Sequence, residues 1–411
     1  MNPARLRSGR GVLAVSAIAA VSLVAGCSSS GSGSSGGGGN TVKIGHLAEL
    51  TGAGSSVGIP QANAIELAVD QINAAGGFDV GGKKYSIKLD TQDDKSDPTA
   101  GVTAVQKIRT GGSKYLVGTV SSAVLGAYLP IIKTDQNFIT VLAGAAAVGV
   151  TGNISVYRPR VTLTQYTNAT LSYIKTNSIT NIAMMTDSQH AGYVAETPTF
   201  KAGLQSLGVK VDSAGSWKLG DTDFSAQLTT AIKGNPQALN LRGFPADIAR
   251  IIKQARELGY KGLIIANTGL SKKEITDAQA GNAMTNVVDI VAPTTADLLT
   301  STAYGAAAKT FNEAYKAKYN APPGFTSASA YSSVNILVAA FEKAGTVTDV
   351  AKVRDALDQL KPSDVQGLVD SVQPSSSGLI FTNHQAQYQM VVRTYDPSTG
   401  DFAAKSFITG T

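Results

Sequence analysis

The chain has few of the residues that usually carry catalysis or hold metals: one cysteine, three histidines and one tryptophan in 411 residues. A single cysteine excludes a disulfide within the chain, even in an oxidising compartment. His46, His190 and His384 are far apart, and none has a second histidine or cysteine at metal-ligand spacing, so no metal site is expected. Each reads as a satisfied or exposed histidine, and only His190 falls in a loop expected at a ligand site. No G-x-S-x-G elbow stands between a strand and a helix, and no G-x-x-x-x-G-K-[ST] phosphate loop occurs. Asp90, Asp93, Asp94 and Asp97 lack the glycine and terminal glutamate of a calcium loop and read as a solvated turn with a helix cap. The sequence thus offers no nucleophile and base for an enzyme, and it calls for no cofactor. Charge is also sparse. The net charge is +6, of which Arg5, Arg7 and Arg10 supply half, so the chain from Cys27 onward carries too little to suit nucleic acid. No period of about 20 to 50 residues appears, which excludes a solenoid or propeller.

What is present begins at the N-terminus. Three arginines precede an apolar stretch of small residues from Gly11 to Ala25, and Val24-Ala25-Gly26-Cys27 follows at once. That order is an export signal ending in a lipobox, with cleavage before Cys27. The stretch is too short to span a bilayer comfortably, which takes roughly 20 apolar residues. Cys27 then serves for lipid attachment. The other reading, a catalytic thiol, meets a Ser/Gly tract with no fixed surroundings to lower its pKa. Residues from Ser28 to Gly39 are almost all serine and glycine, a flexible tether that holds a folded body off a membrane surface.

The body starts near Thr41 and is long enough for two domains. Short apolar runs alternate with amphipathic ones. Strands are predicted at Val42–Leu47, Tyr85–Leu89, Tyr115–Val117 and Phe138–Leu142, with helices at Ala62–Ile72, Thr99–Ile108 and Ala123–Lys133 between them. Asp97 before Pro98 marks one helix start clearly. A second series, from Ile182 to Ile265, repeats the alternation, and three helical stretches and two extended segments follow Val291. Such alternation calls for parallel sheets with helices on both faces, hence an α/β fold of two Rossmann-like doubly wound lobes. Ligands in such folds bind outside the carboxyl ends of the strands. Six loops are therefore singled out: Thr51–Gly58, Thr119–Ser122, Ala143–Gly149, Asp187–Gly192, Gly243–Pro245 and Asn267–Gly269.

The run Lys43-Ile44-Gly45-His46-Leu47, then Leu50-Thr51-Gly52, Gly58, Asp70-Gln71-Ile72-Asn73-Ala74-Ala75-Gly76-Gly77, Asp93-Asp94 and Asp97-Pro98, resembles the branched-chain amino-acid type of periplasmic binding protein. Val117-Gly118 before Ser121-Ser122, Asp187 before Gly192, Asp223-Phe224-Ser225 and Gln254-Ala255-Arg256-Glu257-Leu258-Gly259 extend the resemblance over essentially everything from Thr41 on. It implies two lobes joined by three crossovers, with a small-molecule ligand enclosed by hinge closure and handed unchanged to an ABC permease and its ATPase. Its domain plan is a lipoprotein signal at 1–26, lipidated cysteine and linker at 27–40, a first lobe of 41–160 with 294–378, and a second of 161–293 with 379–411. The protein is expected to be monomeric, exported and lipid-anchored to the membrane.

Carried over residue by residue, the first-lobe contacts of that family fall on Val57, Ser121, Ser122 and Ala143-Gly144-Ala145-Ala146, where hydroxyls and loop amides suit a carboxylate or another acceptor-rich group. Amino-acid binders usually place a threonine at Ala146. In the second lobe they offer a tyrosine and an acid to hold an ammonium, and here those positions are Ala191 and Thr268. A buried ammonium without a partner costs several kcal/mol. Arg242 and Phe244 suit an anionic or apolar ligand instead, by a bidentate clamp and by stacking, unless Arg242 serves a surface or structural ion pair. The expected ligand is a small carboxylate without a free α-amino group, or an amide-type solute. A ligand sensor for a membrane signalling protein, a true branched-chain amino-acid binder and a lipid-anchored hydrolase are the competing readings.

Overall fold

The computed structural model describes residues 40–52, 54–146 and 150–409, so the export signal, Cys27 and the tether up to residue 39 lie outside the described residues. Two sheets organise the body. The first is built from β1 (Asn40–Ala48), β2 (Phe78–Val80), β3 (Lys83–Asp93), β4 (Tyr115–Gly118), β5 (Ile139–Leu142) and β6 (Val156–Tyr157), in the order β2-β3-β1-β4-β5-β6. All its pairs are parallel except β2 with β3. The second comprises β7 (Asn181–Asp187), β8 (Lys210–Trp217), β9 (Ala238–Arg242), β10 (Leu263–Ala266), β11 (Val287–Val291), β12 (Val372–Gln373), β13 (Phe381–Thr382), β14 (Gln385–Asp396) and β15 (Asp401–Thr409). Its order is β12-β14-β11-β10-β9-β7-β8, with β13 and β15 also paired to β14. Strands β7 to β11 are mutually parallel, and β14 runs antiparallel to β11.

Side-chain alternation assigns the two faces of each sheet. Val42 and Ile44 of β1 and Tyr115 and Val117 of β4 enter one core, while Leu47 and Leu116 enter another. Helices Ser55–Ala74 and Ser327–Ala344 cover the first face, and Pro98–Thr110 and Ser122–Ile132 cover the second. In the other lobe Ile182 and Met184 pack with Tyr166 of helix Leu163–Thr176 and Phe200 of helix Ala191–Ser206. Ala183 and Met185 meet Leu228 and Ile248 of helices Ser225–Ile232 and Pro245–Glu257. Both sheets are therefore covered on two sides, which the near-continuous apolar runs of their central strands require.

Two of the differences from the sequence reading bear on the site. Helix Ser55–Ala74 begins before the expected Ala62 and absorbs Pro60, whose carbonyl accepts hydrogen bonds from Tyr315 Oη at 3.2 Å and Ser327 Oγ at 3.0 Å. Helix Leu163–Thr176 was not expected at all, because its buried face carries Gln165, Thr167 and Thr170, which interrupt the apolar period. Its start is nonetheless legible as a capping box between Thr162 and Gln165.

The chain crosses between the sheets at residues 158–162, 292–294 and 365–371. The first crossing, with the helix start that follows it, is laced to β14. Arg158 Nε donates to Gln385 Oε1 at 2.6 Å, Gln385 Nε2 to the Arg160 carbonyl at 2.8 Å, and Gln165 Nε2 to Gln387 Oε1 at 2.7 Å.

A buried ion pair fixes the carboxyl edge of the second sheet. Asp289 on β11 lies opposite Arg393 on β14, pairs with its Nη2 at 2.5 Å, and accepts the amides of Thr268, Gly269 and Leu270. Asp289→Ala would leave a buried guanidinium and three amides without their acceptor. We expect a loss of about 3–5 kcal/mol, as for other broken buried pairs, read as a lower denaturant midpoint. A loss under about 1 kcal/mol, the value of an exposed pair, would contradict this account.

Candidate functional site

In the first lobe the loops at the carboxyl ends of β1, β3, β4 and β5 are tied by internal carboxylates. Asp93 Oδ1 accepts the amides of Leu50 at 3.0 Å and Thr51 at 3.3 Å, and its Oδ2 accepts Thr51 Oγ1 at 2.6 Å. Asp94, fully buried, accepts Ser96 N at 2.9 Å and Thr119 Oγ1 at 3.1 Å. Only Asp97 acts as the expected helix cap, on Ala100 N. Both fasten loops, Asp94 from within the core and Asp93 from a partly exposed position, and among the described residues no acid or histidine cluster is arranged to hold a metal.

Glu49, the residue after β1, was missed by the sequence reading. It is 1% exposed, and its Oε1 accepts Ser121 N at 2.5 Å. Burial, with repulsion from Asp94, pushes its carboxyl up to about 7, against the bond from the Ser121 amide. Gly58 allows this packing, because a Cβ there would stand 2.1 Å from the Glu49 carbonyl oxygen. Gly144 plays the same part on the other side of the Thr119–Ser121 turn. A Cβ on it would meet Gln61 Oε1 at 2.4 Å and the Thr119 carbonyl at 2.8 Å.

The expected first-lobe residues gather around this turn. Val57 is half-buried, Ser121 caps helix Ser122–Ile132 through a bond from Val124 N, and Ser122 is exposed at its first position. Ala143, Gly144 and Ala145 are buried, and Ala146 is half-buried. Ser329 Oγ holds the Ala143 carbonyl at 3.0 Å. The Ser121 amide, among the donors offered to a ligand in the sequence reading, therefore already has a partner inside the lobe, and the hydroxyl oxygen is used there as an acceptor.

In the second lobe His190 caps helix Ala191–Ser206. Its Nδ1 accepts Tyr193 N at 3.2 Å, and burial lowers its pKa, so the neutral tautomer protonated at Nε2 is favoured. Its ring packs on Phe244, centroids 4.9 Å apart, and Phe244 remains 43% exposed. Thr268 Oγ1 donates to the Gly243 carbonyl at 2.7 Å, which joins the two loops. Arg242 is buried: its guanidinium lies over the rings of Tyr193 and Phe200, and Nη2 donates to Thr167 Oγ1 at 3.0 Å. It forms no ion pair among the described residues, and its Nη1 has no hydrogen-bond partner. The expected bidentate clamp is thus enclosed within the lobe and does not stand at its edge. Ala191 is the first residue of its helix.

Large apolar side chains are exposed at these same ends. Leu50 and Ile59 follow β1, Leu219 follows β8, Phe244 follows β9, and Phe325 precedes helix Ser327–Ala344. Surfaces of this kind mark ligand grooves or interaction sites.

Comparison with known proteins fits this geometry. A family model described as periplasmic binding protein matches residues 41–401. The Leu/Ile/Val-binding protein BraC3 of Rhizobium johnstonii is 30% identical over 325 residues, covering 77% of this chain and 83% of that protein. A branched-chain amino acid transporter substrate binding protein from Streptococcus pneumoniae, solved with isoleucine, superposes with a TM-score of 0.67 at 21% identity, covering 90% of this chain and 100% of that one. A solute binding protein of an ABC transporter from Rhodopseudomonas palustris, solved with 3,4-dihydroxybenzoic acid, gives 0.68 at 20% identity, over 90% and 98%.

Glu49 makes a pH-dependent contribution to stability. A carboxyl whose folded value lies above its unfolded value opposes folding increasingly as pH rises from 4.5 to about 7. Glu49→Gln keeps an acceptor for Ser121 and removes the charge. It should raise the thermal midpoint by about 2–4 °C at pH 8, as for roughly 1 kcal/mol in a domain of this size, with the gain vanishing at pH 4. An equal change at both pH values, or a loss at pH 8, would contradict the assignment.

Proposed function

The chain belongs to the periplasmic binding protein family, and from that premise we propose that it is the exported, ligand-binding component of an ABC importer. A small polar solute is taken up between the two lobes and released unchanged to a permease powered by its ATPase. The observation that carries this reading is the matched construction of the two lobes. Each ends its parallel strands in loops fastened by buried carboxylates, Glu49 and Asp94 in the first and Asp289 in the second, and each leaves apolar side chains exposed beside them. Three chain crossings join the lobes, a number that permits hinge motion about a few loop residues.

In this reading Val57, Ser121, Ser122 and the Ala143–Ala146 turn form the first-lobe wall. His190, Ala191, Phe244 and Thr268 form the second, and Arg242 stiffens that wall from behind through Thr167, Tyr193 and Phe200. In this reading the protein acts as a monomer and hands its ligand on unchanged, as a solute-binding protein does and an enzyme does not. Cys27 carries the lipid that tethers the body to the membrane, with residues 28–39 as the spacer.

Three outcomes test the reading. Purified protein screened by thermal shift against amino acids, carboxylates, amides and ureas should be stabilised by one class, by about 2.7 kcal/mol at 100 times its dissociation constant. Phe244→Ala should weaken that ligand at least tenfold with little change in the ligand-free midpoint. Recovery of a chemically altered solute, or no stabilisation by any class, would count against a transport receptor. Cys27→Ser should release the protein from the membrane fraction of its host, and unchanged membrane retention would remove the lipid anchor from this account.

A further inference from the structure

Glu49 raises a question that fastening a loop does not answer. Its carboxyl is buried beside Asp94 and near Asp93, and among the described residues no lysine, arginine or histidine forms an ion pair with it. A buried acid placed next to other acids is costly without a compensating role. Its one hydrogen bond among the described residues is from the Ser121 amide, at 2.5 Å. That amide is one of the loop N–H groups that the family resemblance offers, with the serine hydroxyls, to an acceptor group on the ligand. A second observation stands on the other flank of the same turn. Gln61 is 2% exposed, and its Oε1 has no hydrogen-bond partner although it is packed against Gly144. A buried acceptor without a donor is expected to gain one from a ligand or a water. The first-lobe wall is thus supplied with acceptors, and one of its loop donors is occupied from within.

We propose that Glu49 determines the ligand class by filling the anion position at the Ser121 amide, so that the solute presents N–H donors to this wall, as an amide, urea or ammonium group, and not a carboxylate. The proposal rests on the solute-binding reading above. It reverses the polarity expected there from Ser121 and Ser122, while retaining the amide-type solute considered in the sequence reading. A carboxylate approaching the turn would meet the Glu49 charge in a partly desolvated setting, where like charges repel strongly, and would find the amide engaged.

Matched pairs that differ only in the polar head test this: benzamide with benzoate, and isobutyramide with isobutyrate, titrated against the purified protein at pH 8. The wild type should prefer the amide of at least one pair by tenfold or more. Glu49→Ala, which frees the Ser121 amide, should shift the amide-to-carboxylate ratio at least tenfold toward the carboxylate. Glu49→Gln keeps the acceptor without its charge and should shift the ratio less; it also serves if the alanine variant does not fold. A loop fastener alone would lower stability and leave the ratio unchanged, and that result overturns the proposal. So does a wild type that prefers the carboxylate, which leaves the receptor reading intact. Failure of every member of both pairs and of the wider solute panel overturns the receptor reading and this inference together.

Discussion

The architecture depends on carboxylates, most of them buried, that accept the backbone amides of loops at the strand ends. Parallel strands leave their connecting loops crowded at one edge, where amides lose water without gaining a sheet partner. Here the acceptors are side chains. Asp93 and Asp94 serve the first lobe, and Glu49 reaches across it to Ser121. Asp289 serves three successive amides in the second, and Asp247 accepts Trp217 Nε1 and the Gly220 amide at its rim. Each substitutes a fixed oxygen for a mobile water, so the loops are held in shape before any ligand arrives. Pre-organisation of this kind reduces the entropic cost of binding.

The two lobes solve the charge problem differently. Asp289 is neutralised by Arg393, a cross-strand partner only available because β14 returns antiparallel to β11. Among the described residues the first lobe brings no cation into an ion pair with Glu49 or Asp94, and burial raises the pKa of both. The contrast identifies where the molecule is under electrostatic load. In the second lobe Arg393 is held by Asp289 and Arg242 by aromatic rings and Thr167, whereas the acids Glu49 and Asp94 of the first have no such cation among the described residues.

Much of the fold was legible because period and punctuation agreed. Val42–Leu47 and Tyr115–Val117 announced central strands, and Asp97-Pro98 announced a helix start that the structure shows. Helix Leu163–Thr176 escaped because Gln165, Thr167 and Thr170 are buried for their hydrogen bonds to Gln387, Arg242 and Asn267, a tertiary reason that hydropathy does not carry. The loops of the candidate site were found by the rule that ligands lie at strand carboxyl ends. The roles within them were not. Nothing local distinguishes Glu49 from a solvated loop acid, since its burial depends on Gly58 and on Ser121, 72 residues away. Arg242 looked like a clamp at a strand end, yet side-chain alternation turns it toward Tyr193 and Phe200.

The central claim, that one ligand is clasped by both sets of strand-end loops, is tested most directly by amide hydrogen exchange. The purified protein would be compared with and without the solute that raises its thermal midpoint most. The account predicts added protection in residues 119–122 and 143–146 of the first lobe together with 190–193, 243–245 and 267–269 of the second. Protection confined to one lobe, or spread over loops at the opposite ends of the strands, would contradict it.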